Sequence, residues 1–192
     1  MAQKNAANRL TPVFWILVLI IIGSVLAWSM WKGSGARLMN VAGDSSLSDS
    51  AALEKIAKVV WPEHIKKASA EKIPSGEYEL EATISYGSIM ALGDIEKEKL
   101  RRTDELARGA LLCFRAGKER KLTKLILQLE TPVKSAFGNK TERIIAYRTI
   151  LYLQDVEKIP QWETCSINED AKQKIRSLWY VKLDKFNELR VE

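Results

Sequence analysis

The chain is poor in the residues that build most catalytic and metal centres, with one histidine and two cysteines in 192 residues. A single histidine excludes a histidine-rich metal site, and any Ser-His-Asp or Cys-His arrangement would have to use His64. That residue sits in Trp61-Pro62-Glu63-His64 with two lysines close behind, a setting that reads as a solvated helix start rather than a general base. The sequence also lacks a P-loop, a GxGxxG, a GxSxG and an HExxH. No catalytic residue, cofactor or metal is therefore expected, and the chain reads as non-enzymatic.

The cysteines, Cys113 and Cys165, form no CxxC and offer neither a zinc ribbon nor a thioredoxin-type pair. In an oxidising compartment they are the pair available for a disulfide, which would contribute about 4 kcal/mol in the chain-entropy model. The alternative is two unrelated thiols, since Cys113 flanks an apolar helical stripe.

Charge is absent where hydrophobicity is densest. Residues 12–31 carry no ionisable side chain, and eleven of them are Val, Leu, Ile or Phe. As a helix this run would rise about 30 Å, the thickness of a bilayer's hydrocarbon core. Trp15 lies near one end, Trp28 and Trp31 near the other, and Lys32 closes it, which suits aromatic belts and a polar stop. The run exceeds a typical signal-peptide h-region and lacks the polar stretch that precedes cleavage, so it reads as a retained signal anchor. Lys4 and Arg9 balance Lys32 and Arg37 across it. A short basic tail, 1–11, nevertheless favours an amino terminus in the cytoplasm and a single-pass protein with its domain outside.

The net charge of +6 and pI of 9.3 owe much to those four flanking cations, because residues 1–40 contain no acid. Downstream, charges of both signs are interspersed, which argues against a nucleic-acid partner. Residues 32–50 are small and polar and read as a flexible linker. The remainder, 51–192, suits one domain.

Within it, Leu53, Ile56, Ala57 and Val60 form a helical stripe entered from Asp49 and Ser50. Tyr78, Leu80, Ala82, Ile84 and Tyr86 then alternate with Glu77, Glu79, Glu81, Thr83 and Ser85, a strand with one wet face. Residues 95–115 read as an amphipathic helix ended by Gly117. Residues 122–131 and 142–154 read as a hairpin, with Pro132 ending the pairing. Ser166 and Glu169 resemble a capping box before a closing helix through Leu189. Asn139-Lys140-Thr141 is a glycosylation sequon at the hairpin tip.

The expected fold is α+β: a transmembrane helix, then one domain with a three-stranded, largely antiparallel sheet covered by helices. Such a domain suits protein interaction, as a subunit of a membrane or envelope-associated assembly, with the bilayer, other envelope proteins or its own copies as partners. The alternative is a sensor or small-ligand domain with a pocket lined by Tyr78, Tyr86, Tyr147 or Trp179. An enzyme using dispersed groups would draw on Glu79, Glu81 and Lys124.

Overall fold

The computed structural model describes residues 14–16, 36–87, 95–134, 141–164 and 167–186. Two compact units divide the chain, residues 1–37 and 38–192. In the first, residues 14–16 are helical, and Phe14, Trp15 and Ile16 are exposed. The rest of the expected 12–31 span, including Trp28, Trp31 and Lys32, lies outside the described residues. Among the described residues no helix is long and apolar enough to cross a membrane. The longest described helix, Ile95–Gly117, has 23 residues but opens with Glu96, Lys97, Glu98, Lys99, Arg101 and Arg102, a density of charge that hydrocarbon does not tolerate. This finding overturns the expected transmembrane helix, signal anchor and single-pass membrane localisation.

The second unit carries one five-stranded mixed sheet, not the expected three-stranded one. Residues 36–42 are helical (α1) and bury Leu38, Val41 and Ala42, within the stretch read as a linker. The Arg120 guanidinium fastens residues 42–49, donating to the carbonyls of Ala42 at 3.0 Å and Asp44 at 2.7 Å and to the Asp49 carboxylate at 3.0 Å. Helix α2 (Asp49–Val60) is capped by the Ser48 hydroxyl, one residue before the caps expected. Its stripe of Leu53, Ile56 and Ala57 is buried.

Residues 61–64 turn, and a strand comes next where a second helix was expected: β1 (Ile65–Lys72). Its sequence, IKKASAEK, has few β-branched or aromatic residues, so local preference did not announce it. Pairing with β2 (Tyr78–Ser85) overrides that preference, in register from Lys72 opposite Tyr78 to Lys67 opposite Thr83, with a bulge before Ile65 opposite Ile84. The turn between them closes at Gly76, whose φ of +86° is open to glycine at little cost.

Helix α3 (Ile95–Gly117) crosses over to β3 (Leu122–Lys134), which lies parallel to β2. The antiparallel partner of β3 is β4 (Thr141–Tyr152). Pairing continues through Pro132, opposite Arg143, instead of stopping there. β2 ends opposite Glu130, so beyond it β3 is an edge and a missing N–H costs nothing. After a short α4 (Leu153–Val156), helix α5 (Glu169–Ser177) is capped by Asn168. The long closing helix is thereby corrected: Tyr180–Asp184 forms β5, antiparallel to β4. Tyr180, Val181 and Leu183 suit a strand, and pairing with β4 outweighs the helical spacing. Sheet order is β1-β2-β3-β4-β5.

The core lies on one face of this sheet. Leu80, Ala82 and Ile84 of β2, Leu125, Leu127 and Leu129 of β3 and Leu151 of β4 cluster with Leu53 and Ile56 of α2 and with Leu106, Leu111 and Phe114 of α3. The opposite face presents Glu79, Glu81 and Thr83 beside Lys124, Ile126 and Gln128, in register.

Candidate functional site

Lys99, Leu100 and Thr103 recur at helical spacing on the first turns of α3 and, with Glu96, line a cavity of about 230 Å³. Its other walls are Tyr147 from the core face of β4, Arg176 from the last turn of α5, and Trp179 just before β5. The expected pocket aromatics are thus half assembled: Tyr147 and Trp179 meet, with ring centroids 6.2 Å apart. Phe186 supports Tyr147 from another side at 6.1 Å.

Most of the polar lining is already engaged. Lys99 pairs with Asp184 of β5 at 2.7 Å. Arg176 Nη1 lies 2.6 Å from Asp104 Oδ1, and Lys172 reaches the other oxygen at 3.6 Å. Thr103 donates its hydroxyl to its own helix, at the carbonyls of Lys99 and Leu100. Trp179 is the exception, its indole Nε1 buried without a hydrogen-bond partner among the described residues. Tyr147 is 5 % exposed. Burial first and then the Asp184 carboxylate push this phenol up to about 12, against the pull of Arg176. It stays a neutral donor across the physiological range.

The other two tyrosines lie elsewhere. Tyr78 pairs with Lys72 and Leu122 at the far end of β2. Tyr86 is buried at the opposite corner, its ring 4.5 Å from that of His64, with the Arg101 and Arg102 guanidinium groups 5.7 and 5.2 Å from its centroid. His64 is therefore an aromatic packing partner and not a helix start. Burial and the neighbouring Glu105 raise the Tyr86 phenol well above the usual tyrosine range.

Glu79, Glu81 and Lys124 do come together on the open face of the sheet. Lys124 binds Glu79 at 2.7 Å, while Glu81 accepts from Gln128 and lies 3.9 Å from Arg148. The result is a cross-strand ladder of opposite charges. Cys113 is fully buried, and burial raises its thiol far above the usual range, so it carries no thiolate chemistry. Its expected disulfide partner, Cys165, lies outside the described residues, as do Asn139 and Lys140 of the sequon. Among the described residues no group of three or more His, Cys, Asp or Glu is placed to hold a metal ion.

No family model matches the chain. Nor does any curated protein or solved structure resemble it. The cavity is consequently read from its own chemistry. Lys99, Leu100, Thr103 and Arg176 escaped the sequence reading as site residues because they lie about seventy-five positions apart in two groups. The spacing of 96, 99, 100 and 103 on one helix was the available signal.

Proposed function

We propose that this chain is a non-enzymatic, small-ligand-binding domain whose site is the cavity between α3, α5 and β4. The observation that carries the reading is the convergence of Tyr147 and Trp179, from β4 and from the turn after α5, on one cavity, with the Trp179 indole N–H buried and unpartnered. Binding sites combine apolar walls with a few converging polar groups, which is this composition. A screen of small fragments against the full chain by thermal shift should find compounds that raise the melting temperature. Leu100→Trp should abolish those shifts, because a larger ring at this half-exposed position fills the mouth and breaks no ion pair. Fragments that stabilise that variant as well as the wild type would place their binding elsewhere and refute the assignment.

A second reading, a protein-interaction domain, is supported by the sheet's last strand. Tyr180 and Val181 of β5 are each 50 % exposed, at an edge with no further strand among the described residues. Such an edge suits an extended peptide added as another strand. Selection from a random peptide library should enrich extended apolar sequences whose binding Val181→Asp weakens; enrichment unaffected by that change would count against this reading.

A further inference from the structure

We propose that the cavity takes an uncharged ligand the size of one substituted ring, an inference that rests on the ligand-binding reading above. The first argument is that the charged side chains of the lining are already matched. Lys99 meets Asp184 at 2.7 Å and Arg176 meets Asp104 at 2.6 Å, while Lys172, just behind, is held by Asp104 and by Glu169. Glu96, exposed on the first turn of α3, is engaged as well. No charged side chain of the lining is left over for a ligand ion among the described residues.

The second argument is the cost of admitting an ion. An ion entering this space gives up hydration, and each pair it meets presents a cation and a carboxylate together, whose fields oppose. To form a salt bridge of its own it must displace a partner. The side chains of the two lining pairs are between 19 and 32 % exposed, so solvent does not fully replace a partner that is lost. An uncharged molecule meets neither cost.

Size and wall composition give the third. A void of about 150 Å³ suffices for benzene, so 230 Å³ accommodates a ring carrying a short substituent. The Tyr147 and Trp179 rings, tilted at 54° to each other, and Leu100 supply the apolar surface against which that ring would rest.

The test is a chemical-shift titration of the full chain at neutral pH with compounds of one shape: 2-phenylethanol and phenylacetamide, which are uncharged, and the ions phenylacetate and 2-phenylethylammonium. Each uncharged compound should bind at least about tenfold more tightly than either ion. Asp184→Asn tests the cause. Its amide oxygen still accepts from the Phe186 N–H, 3.1 Å from Asp184 in the parent, while Lys99 loses its counter-charge. Phenylacetate should then gain about tenfold and 2-phenylethanol stay within about twofold, a split that loosening of the fold would not produce. Binding of either ion as tightly as the uncharged pair, or no gain by phenylacetate in Asp184→Asn, would overturn the uncharged assignment and keep the cavity as a ligand site. Absence of binding by all of these, and by toluene and cyclohexanol, at millimolar concentration would overturn both.

Discussion

Two corners of this domain are built from the same parts and differ in what is left over. Each holds a buried tyrosine flanked by two cations, and one helix serves both: residues 98, 101, 102 and 105 of α3 face Tyr86, while 96, 99, 100 and 103 line the cavity beside Tyr147. Around Tyr86 the guanidinium donors are consumed, although the buried Tyr86 hydroxyl has no aligned partner among the described residues. Arg102 is 2 % exposed and gives hydrogen bonds to Glu98 at 2.6 Å, to the Gly87 carbonyl at 3.1 Å and to Thr131 at 3.3 Å. Arg101 clamps Glu98 and Glu105, and both carboxylate oxygens of nearby Glu130 accept from Lys66 at 2.8 Å. Around Tyr147 a cavity remains. A charge-aromatic cluster is a structural joint when it is filled, and a candidate binding site when space survives beside its rings.

The sharpest way to break that contrast is to unmake the filled corner. Arg102→Met removes one partner of a buried pair and leaves the Gly87 carbonyl and the Thr131 hydroxyl without it, a loss on the order of 3 kcal/mol. For a chain of this size the melting temperature should fall by about 10 °C in calorimetry. A fall within about 2 °C would show that the corner contributes little to stability. Next in size is Gly109→Ala, which acts on the helix common to both corners. A methyl group there would sit 2.0 Å from the Trp61 ring, so either the indole or α3 must shift. Overpacking costs about 1–3 kcal/mol, and the helix preference of alanine recovers up to about 1 kcal/mol. A net loss of about 1–2 kcal/mol in denaturant unfolding is expected, and a gain would mean the indole moves freely.

How far the two corners were legible rests on the same distinction. Periodicity located α2, β2, α3 and the β3–β4 pair, because each buries a stripe long enough to leave its period in the sequence. It missed β1 and β5, the two edges, where lysines alternate with small residues or a five-residue strand is too short to show a period. The sheet's mixed order was likewise hidden, since a parallel neighbour is declared by the crossover and not by the strand. Of the site, Tyr147 and Trp179 were legible as candidates by residue type, whereas Tyr86 looked equivalent to them and is not. What separates Tyr86 from Tyr147 is the set of side chains brought near each by the fold, from β1 and α3 in one case and α5 in the other. No local pattern encodes that difference.

Acid should also divide the corners. Glu98 is held at about 2, below its usual 4.5, chiefly by its hydrogen bonds to Arg101 and then to Arg102. A carboxyl lowered on folding stabilises the protein above its unfolded value, and that contribution is lost as pH falls from about 4.5 through 2. Being about one-quarter exposed, Glu98 should contribute on the order of 1–2 kcal/mol after screening. Hydrogen exchange followed from about pH 5 down to about pH 3 should therefore show amides around Tyr86 and Arg102 losing protection before those around Tyr147. Simultaneous loss would mean that the Glu98 bonds do not govern the corner's acid response.

The smallest expected effect on stability is the most informative about function. Tyr86→Phe and Tyr147→Phe each delete one oxygen and keep the ring, and neither hydroxyl has an aligned hydrogen-bond partner among the described residues. Removing an unpartnered hydroxyl costs little and can stabilise, so both melting temperatures should stay within about 2 °C of the parent. The two variants should separate only when a fragment that raises the parent's melting temperature is added. Tyr86→Phe should respond to that fragment as the parent does, because Tyr86 does not line the cavity, and Tyr147→Phe should lose part of the response. If the two variants behave alike toward the ligand, the void beside Tyr147 is a packing defect with no more chemical selectivity than the filled corner across α3.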